Sequence, residues 1–359
     1  MTHCPRSLRG SLILAASVCS AFAQQVVGGP FVVNDSTRSA TIAWIVRDSD
    51  VTVQSAGGEA KTSPVLRVEK TTLTGLEPSK KYDYTVPGHA DLKGSFKTAP
   101  APTAKEPYTF VVYGDTRTRH DVHRRVIGEL MKHGIPDFII HTGDLVADGN
   151  DSSLWPIFFD IEKDLLSKTA FFPSLGNHER NTRYFGEIFQ AEAPYYSFDW
   201  GNSHFIVLNS DIPNSAPSPR MRDLFWAEQT KWLEDDLASH QKADHRFVIA
   251  HHPPFTAVFR RQGENEHMAA LIPMLEKYHV TAGLFGHDHN YQHYVKNGIH
   301  YIGTGGGGAP LYDVDKPPAG ITRKVLSVEN FVTISVNGKS VHARATAIDG
   351  QTIEEFDIP

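Results

Sequence analysis

Five short polar clusters stand out in the sequence, because each follows an apolar segment and offers carboxylate, amide or imidazole groups. The clusters are Gly114-Asp115, Gly143-Asp144, Gly176-Asn177-His178-Glu179, His251-His252 and Gly286-His287-Asp288-His289. Oxygen and imidazole groups are the ligands that Fe, Zn and Mn accept in proteins. A single Gly-Asp pair is a common turn, so each cluster alone also has a purely structural interpretation. The ordered set of five, each after a predicted strand, indicates a metal site.

The apolar segments before these clusters are predicted strands of an α/β domain that begins at residue 108. The predicted strands are Tyr108–Tyr113, Asp137–His141, Ala170–Ser174, His204–Asn209, Arg246–Ala250, Val280–Phe285 and Ile299–Ile302, followed by a β-rich tail from Val325. Open α/β sheets bind ligands beyond the carboxyl ends of their strands. We therefore expect the five clusters to meet at one edge of the domain.

Helices are predicted between these strands. One has Asp121 as its N-cap and runs to about His133. Another covers about Pro219–Ser239 and carries an apolar stripe that includes Met221 and Leu224. An apolar stripe at helical spacing is typical of core packing, so this stripe is predicted to face the interior.

Residues 24–100 differ from the rest of the chain, since short β-branched and aromatic segments alternate there with turn-forming residues. This pattern predicts a small all-β sandwich. The segment Leu73–Tyr82 resembles the turn that leads into a tyrosine-bearing strand in fibronectin type III-like domains. Residues 101–107 are spaced by proline and are predicted to be the linker to the α/β domain at residues 108–359.

The series of polar clusters resembles that of the calcineurin-like metallophosphoesterases. The preceding β-sandwich makes the chain most similar to the purple acid phosphatase branch of that superfamily. The specific motifs extend from Asp115 to His289, and the likeness before Pro100 is loose. The resemblance implies a four-layer αββα sandwich and a phosphoesterase activity.

Carried over by position, the family pattern implies a centre of two metal ions, Fe, Zn or Mn, in which Asp144 bridges the pair. One ion would then be held by Asp115 and His289. The second ion would be held by Asn177, His251 and His287. Two neighbouring cations can activate a water nucleophile and clamp phosphoryl oxygens for an in-line displacement.

Three further residues are candidates for contact with the substrate. The resemblance places His178 beside the leaving group as a proton or hydrogen-bond donor, although it could instead only orient Asn177 through Glu179. Arg117 could pair with phosphate or form a salt bridge with a nearby acid. His252 could bind phosphate or hydrogen-bond a neighbouring group.

Two positions depart from the family pattern. Ala147 stands where purple members have a tyrosine, so no iron charge-transfer colour is expected. Arg117 stands where many other relatives have a histidine, which leaves the first metal one protein ligand short. Water or His120 could fill that place, but exposed positions near a helix start are the preferred interpretation of His120 and His123. The glycines from Gly305 to Gly308 are interpreted as a tight turn rather than a phosphate cradle.

The N-terminus has the features of an export signal: a basic start, an apolar stretch and a small-residue cleavage site that ends at Ala23. Cleavage there would remove both cysteines, Cys4 and Cys19, and with them any disulfide or thiolate metal site. It would also make the net charge of −6 more negative. An acidic chain disfavours polymeric nucleic acid as a partner. We expect a secreted or periplasmic protein without integral membrane association.

These features together predict a metal-dependent phosphomonoesterase that acts on a small phosphorylated substrate. The nearest alternative is a phosphodiesterase or nucleotidase with the same metal centre, which motifs common to the family do not distinguish. An alternative of another class is a binding protein on a catalytically inactive scaffold. Metal content separates the last possibility from the first two. The sequence makes no prediction of oligomeric state.

Overall fold

The structure is a computed structural model of the chain and describes residues 25–53, 59–102 and 104–359. The predicted export signal at residues 1–23 lies outside the described residues. In the part of the chain that the structure covers, no helix has both the length and the apolar character that crossing a membrane requires.

A nine-stranded mixed sheet forms one half of the protein, and its three central strands run parallel. In spatial order the strands are β18 (Thr352–Ile358), β17 (Ser340–Ala347), β16 (Asn330–Asn337), β6 (Tyr108–Tyr113), β7 (Phe138–His141), β8 (Ala170–Pro173), β1 (Gln25–Val33), β2 (Ser39–Val53) and β3 (Lys61–Thr74). The parallel strands are short, mostly apolar and almost entirely buried, as strands covered on both faces are.

A seven-stranded sheet forms the other half. Four of its strands are parallel: β10 (Ser203–Val207), β11 (His245–Ala250), β12 (Ala282–Phe285) and β14 (Ile299–Thr304). In spatial order its strands are β15 (Thr322–Leu326), β13 (Tyr291–Lys296), β14, β12, β11, β10 and β9 (Tyr196–Trp200). The two sheets pack face to face, with Phe110 of the first sheet edge-on to Phe205 and Phe247 of the second.

Helices cover the outer face of each sheet. They are α1 (His120–Lys132), α2 (Leu154–Leu166), α3 (Arg183–Phe189), α4 (Ile212–Ser215), α5 (Pro219–Ser239), α6 (Glu266–Ala269) and α7 (Ile272–Lys277), with a 3-10 helix at Phe259–Arg261. The first three pack on the nine-stranded sheet, and α5, α6 and α7 pack on the seven-stranded sheet. The four-layer αββα architecture predicted for the catalytic part is confirmed.

The N-terminal strands form a small β layer that is joined to the catalytic sheet. Strand β1 pairs with β8 in parallel at Val32 and Ala170, so β1, β2 and β3 extend the nine-stranded sheet. A separate hairpin of β4 (Lys81–Val86) and β5 (His89–Lys97) packs over them. The Tyr82 hydroxyl accepts a hydrogen bond of 2.9 Å from the Glu77 backbone N–H, which fixes the turn before β4. An independent fibronectin type III-like domain that ends near residue 100 stays a prediction.

Two details of the predicted helices were wrong. Helix α1 starts at His120, with Arg119 at the N-cap position and Asp121 inside its first turn. Helix α5 has the predicted bounds, but Met221 and Leu224 are 50% and 61% exposed rather than buried. The core contacts of α5 come from residues farther along the helix, since Leu233 and Leu237 are fully buried and Trp226 and Trp232 pack against the same cluster.

Candidate metal centre

The five polar clusters meet where the parallel strands of the two sheets end. Strands β6, β7 and β8 lead to Asp115, Asp144 and Asn177, and strands β11 and β12 lead to His251 and His287. A direct contact joins the two sheets at this edge, since the His287 backbone N–H donates to Oδ2 of Asp115 over 2.9 Å. Residues distant in sequence therefore share one small volume.

Asp115 and His289 form one part of this cluster. The Nε2 atom of His289 lies 3.4 Å from Oδ1 of Asp115. The other ring nitrogen, Nδ1, donates to the Pro310 carbonyl over 2.7 Å. Because that bond occupies Nδ1, the lone pair of a neutral His289 ring is on Nε2 and faces the carboxylate.

His251 is the centre of the second part. Its Nε2 atom lies 3.1 Å from Oδ1 of Asn177, 3.2 Å from Nδ1 of His287 and 3.5 Å from Oδ1 of Asp144. Its Nδ1 donates to the Thr142 carbonyl over 2.8 Å, which directs Nε2 toward these neighbours. Burial and the nearby histidines hold the pKa of His287 well below its usual value, so that ring is neutral and able to act as a ligand.

Three residues of the cluster have unusual backbone conformations. Asp115, Asp144 and His287 have positive φ angles of 59°, 58° and 68°. The left-handed conformation costs a non-glycine residue about 1–2 kcal/mol, and it persists where the surrounding structure determines it. Strained residues concentrate at functional sites, and three occur here within one cluster.

The donor set fits metal ions. Asp115, Asp144 and His251 are almost fully buried, and one ligand-type atom of each lies within 4.8 Å of the others. Oδ1 of Asp115 is buried and has no hydrogen-bond partner. A buried carboxylate oxygen without a partner is costly, and a cation would remove that cost. These residues therefore suit hard or borderline cations such as Fe, Zn or Mn.

Comparison with known proteins agrees with this geometry. The sequence profile of the family described as calcineurin-like phosphoesterase matches residues 108–291, just over half of the chain. The chain belongs to the calcineurin-like phosphoesterase family. The family identifies it as a phosphoric ester hydrolase, and the matched segment contains every one of the six predicted metal ligands.

The relatives found by sequence and by structure include acid phosphatases. Tartrate-resistant acid phosphatase type 5 of Sus scrofa is 25% identical over 320 residues, which cover 76% of this chain and 92% of the relative. Purple acid phosphatase 15 of Arabidopsis thaliana is 26% identical over 269 residues, covering 61% and 48% of the two chains. The solved structure of a purple acid phosphatase from yellow lupin seeds superposes with a TM-score of 0.72 at 17% identity, covering 91% and 73%.

Glu179 is a residue of this phosphoesterase that the sequence analysis named without assigning it a firm role. It is fully buried, and its carboxylate accepts hydrogen bonds from the backbone N–H groups of Asp144, Leu145, Val146 and Gly176 at 2.8–3.3 Å. Burial and the nearby charge of Asp144 raise its pKa to about 8, against the four N–H donors. Gly176 allows this packing, because a Cβ there would lie 2.3 Å from the Asp144 backbone nitrogen.

His178 lies at the open side of the cluster, with about a quarter of its side chain exposed. Its Nδ1 donates to the Ala147 carbonyl over 2.7 Å, and Nε2 lies 3.9 Å from Oδ2 of Asp144. Its backbone N–H donates to Oδ1 of Asp144 over 2.9 Å. The ring is thus held by the Ala147 carbonyl, with one nitrogen facing the cluster.

Arg117 and His252 also border the cluster. The Nε atom of Arg117 lies 3.3 Å from Oδ2 of Asp144 but forms no hydrogen bond, so the guanidinium has donors to spare. His252 is buried, its Nδ1 lies 2.9 Å from the Ser210 hydroxyl, and its ring lies 4.1 Å from that of His287. The structure therefore brings both residues to the predicted site.

The predicted exposure of His123 was wrong. Its side chain is buried, and Nε2 lies 2.7 Å from a carboxylate oxygen of Glu162. The Tyr113 hydroxyl donates to the same carboxylate. Helix α1 turns the face that carries His123 toward the sheet, while His120 stays partly exposed at the helix start.

Two residues near the site were missed from the sequence. The Tyr312 ring stacks on His289 with ring centres 4.1 Å apart, and the guanidinium of Arg261 lies over the same ring. Arg261 also contacts Nε2 of His287. Neither residue adjoins a polar cluster in sequence, so only the tertiary contacts place them here.

The glycine segment at 305–308 packs against the first ligand loop. A Cβ at Gly305 would lie 2.8 Å from Oδ2 of Asp115, and one at Gly307 would lie 2.3 Å from the Gly114 carbonyl. The Gly307 N–H donates to that carbonyl over 2.9 Å. The glycines thus permit a close backbone approach beside Asp115.

Proposed function

We propose that this phosphoesterase is a phosphomonoesterase with a dinuclear metal centre. Asp144 would contact both cations, Asp115 and His289 would hold the first, and Asn177, His251 and His287 would hold the second. The proposal rests on the contacts among the predicted ligands, which divide them into two groups. Asp115 pairs with His289, whereas His251 gathers the amide and the other imidazole and also approaches Asp144.

The chemistry of the donors supports Fe, Zn or Mn. Both cysteines precede residue 24, so carboxylate, amide and imidazole are the ligand types available at the cluster. When bound, two such cations would supply an activated water and neutralise charge on the phosphoryl oxygens. We expect a colourless protein, since Ala147 offers no tyrosinate to iron.

The protein's own groups would position the substrate and protonate the leaving group. Since Nδ1 of His178 is held by the Ala147 carbonyl, Nε2 of the protonated ring can donate to the departing ester oxygen. Arg117 can direct its free donors at a phosphoryl oxygen as a planar fork. His252, whose Nδ1 lies beside Ser210, would support the His287 ring and face the phosphate side.

A small monoester is the substrate that best agrees with the relatives, which are named acid phosphatases. The net charge of −6 argues against capture of polymeric nucleic acid. The predicted export signal that ends at Ala23 supports action outside the cytoplasm, in a secreted or periplasmic location.

One relative supports the alternative of a binding protein on a catalytically inactive scaffold. Probable inactive purple acid phosphatase 9 of Arabidopsis thaliana is 23% identical over 255 residues, covering 57% of this chain and 37% of that protein. A scaffold that has lost its activity is expected to lose metal ligands first. Here all six predicted positions carry ligand-type side chains.

The test is elemental analysis of the purified protein together with parallel assays on p-nitrophenyl phosphate and bis(p-nitrophenyl) phosphate. We expect about two metal ions per chain, faster release from the monoester and no visible colour. Faster release from the diester would favour the phosphodiesterase alternative. A protein that retains no Fe, Zn or Mn and gains no activity when they are added would refute the proposal.

A further inference from the structure

A buried histidine lies beneath the predicted metal ligands and is not one of them. His141 is the last residue of β7, and its side chain is fully buried. Its ring packs edge-on against Tyr113 and Phe158 and lies close to Phe171. An apolar aromatic residue would fill such a space more simply, so the two ring nitrogens need an explanation.

Both nitrogens contact the loops that carry the two aspartates. The Gly143 backbone N–H donates to Nδ1 of His141 over 3.2 Å. Nε2 lies 3.2 Å from the Thr116 hydroxyl, which in turn donates to the Leu145 carbonyl over 3.1 Å. Because an amide can only donate, Nδ1 is the acceptor and the neutral ring carries its proton on Nε2. Every hydrogen-bond direction in this chain of contacts is therefore determined.

The contacts of His141 and Thr116 link backbone positions on either side of the predicted ligands Asp115 and Asp144. Thr116 follows Asp115, and Gly143 and Leu145 flank Asp144. The Asp115 N–H also donates to the Gly143 carbonyl over 3.0 Å. Both aspartates have left-handed backbones, which persist only where their surroundings leave no alternative. The His141–Thr116 pair supplies such a restraint between the two loops.

We propose that His141 and Thr116 are positioning residues that hold Asp115 and Asp144 at the spacing that two cations require. The inference rests on the proposed dinuclear function and adds residues that contact neither metal nor substrate. Loss of a group that orients a metal ligand typically weakens metal affinity or activity about 10- to 100-fold. We expect an effect of that size when the link between the two loops is cut.

The chain offers a matched pair of threonines for the test. Thr116 and Thr169 are both fully buried, and each donates from its hydroxyl to a backbone carbonyl. Thr169 precedes β8 and bonds to Pro136, away from the ligand loops. Valine replaces either hydroxyl by a methyl group of similar size. Both variants lose a buried hydroxyl-to-carbonyl hydrogen bond, and Thr116→Val also loses the contact with Nε2 of His141.

The experiment measures Zn²⁺ affinity by competition with a chromophoric chelator, beside thermal melting of the metal-free proteins. Both valine variants are expected to melt at a lower temperature than the wild type. Only Thr116→Val is expected to bind Zn²⁺ about 10- to 100-fold more weakly. Thr116→Ser, which keeps the hydroxyl, is expected to bind Zn²⁺ as the wild type does.

His141→Gln provides a second, independent variant. Glutamine can reach Thr116 but cannot place an acceptor at the position of Nδ1, so Zn²⁺ affinity is expected to fall here as well. Wild-type affinity in both Thr116→Val and His141→Gln, or equal loss in Thr169→Val, would overturn the inference while leaving the proposed function intact. A wild-type protein that takes up none of Zn, Mn and Fe overturns the proposed function instead, and the inference with it.

Discussion

Two groups of histidine and aspartate in this protein look alike as metal sites but differ in how their polar atoms are satisfied. The edge cluster consists of the six predicted ligands, with Asp115, Asp144 and His251 at its centre. The hairpin cluster lies where the C-terminal end of α5 packs on the β9–β10 hairpin, and it consists of Asp199, His204 and His240, together with Asp236. In each, three ligand-type atoms lie within 4.8 Å of one another.

In the hairpin cluster, both ring nitrogens of His204 have partners within the cluster. Each ring nitrogen of His204 lies 2.7 Å from a carboxylate oxygen, Nδ1 from Asp199 and Nε2 from Asp236. The His204 and His240 rings stack in parallel, 3.6 Å apart, so their nitrogens do not point at a common position between them. Both nitrogens of a doubly paired histidine are donors, and none is left to bind a cation.

The edge cluster shows the opposite arrangement. Oδ1 of Asp115 has no partner, and Nε2 of His251 lies among an amide oxygen, a carboxylate oxygen and another imidazole. Backbone carbonyls hold the outer nitrogens of His251 and His289, which leaves the inner nitrogens free to coordinate. The candidate metal centre thus differs from the self-paired cluster in its unsatisfied polar atoms, and not in the types of its residues or in how close they lie.

The largest difference between the two clusters is expected when one aspartate is removed from each. Asp144→Ala should abolish metal retention and phosphate release, because Asp144 is buried at the junction of the two ligand groups. Asp199→Ala, in the hairpin cluster, should retain both properties. Metal analysis and p-nitrophenyl phosphate hydrolysis of the two variants provide the measurement. The distinction fails if the Asp199 variant loses metal or the Asp144 variant keeps it.

A smaller effect is expected at His178, which borders the edge cluster without belonging to its predicted ligand set. His178→Ala should lower kcat about 10²- to 10⁴-fold, the usual contribution of a general acid. Metal content should be unchanged, since Nε2 lies 3.9 Å from Oδ2 of Asp144 and Nδ1 is held by the Ala147 carbonyl. His240→Ala is the matched control from the hairpin cluster and should leave kcat unaltered. Loss of metal from the His178 variant would contradict the assignment.

Glu179 tests whether the edge cluster depends on its supporting hydrogen bonds. In Glu179→Gln an amide NH₂ replaces one carboxylate oxygen and confronts backbone N–H donors, so metal affinity should fall about 10- to 100-fold. Glu162→Gln is the control, because Glu162 is equally buried but contacts the side chains of Tyr113 and His123 instead of the backbone N–H groups of the ligand loops. Chelator competition measures both variants, and equal affinities would remove Glu179 from the site.

The smallest effect concerns the pH dependence of the hairpin cluster. Burial opposes the charge on His204, but the two carboxylates outweigh it and raise its pKa above the usual value. A raised folded-state pKa gives stability that is complete below the unfolded pKa of about 6.5 and is lost as pH rises through the folded value. His204→Asn should therefore reduce the free energy of unfolding by about 1–3 kcal/mol in mild acid, and by less in alkali.

Urea unfolding of the chelator-treated wild type and His204→Asn at several pH values measures this difference. A destabilisation that is the same at every pH would show that His204 acts through packing and not through its charge. Metal retention by His204→Asn should equal that of the wild type, which separates the hairpin cluster from the edge cluster a second time.

The positions of the predicted site follow from one regularity in the sequence. Each predicted ligand follows an apolar segment of strand length, and parallel strands deliver their carboxyl ends to a common edge. The apolar pattern likewise predicted the bounds of α5, which in the structure begins at Pro219 with Ser218 as its N-cap. Hydrophobic periodicity and order along the chain contain this information, and no tertiary contact was needed to extract it.

Other features depended on contacts between residues far apart in sequence. The burial of His123, the exposure of Met221 and Leu224, and the approach of Arg261 to His287 follow from how helices and loops pack on the sheets. Pairing of β1 with β8 joins the N-terminal strands to the catalytic sheet, although their local pattern alone indicated a separate unit.

The sequence by itself determined the order of strands and ligand-type residues, because both depend on local patterns of side chains. The tertiary structure decided which polar atoms are satisfied and which are not. That difference separates His204, paired on both nitrogens, from His251, and it links His141 to the two aspartate loops. Hydrogen-bond satisfaction is a property of atoms brought together in space, so no local pattern encodes it.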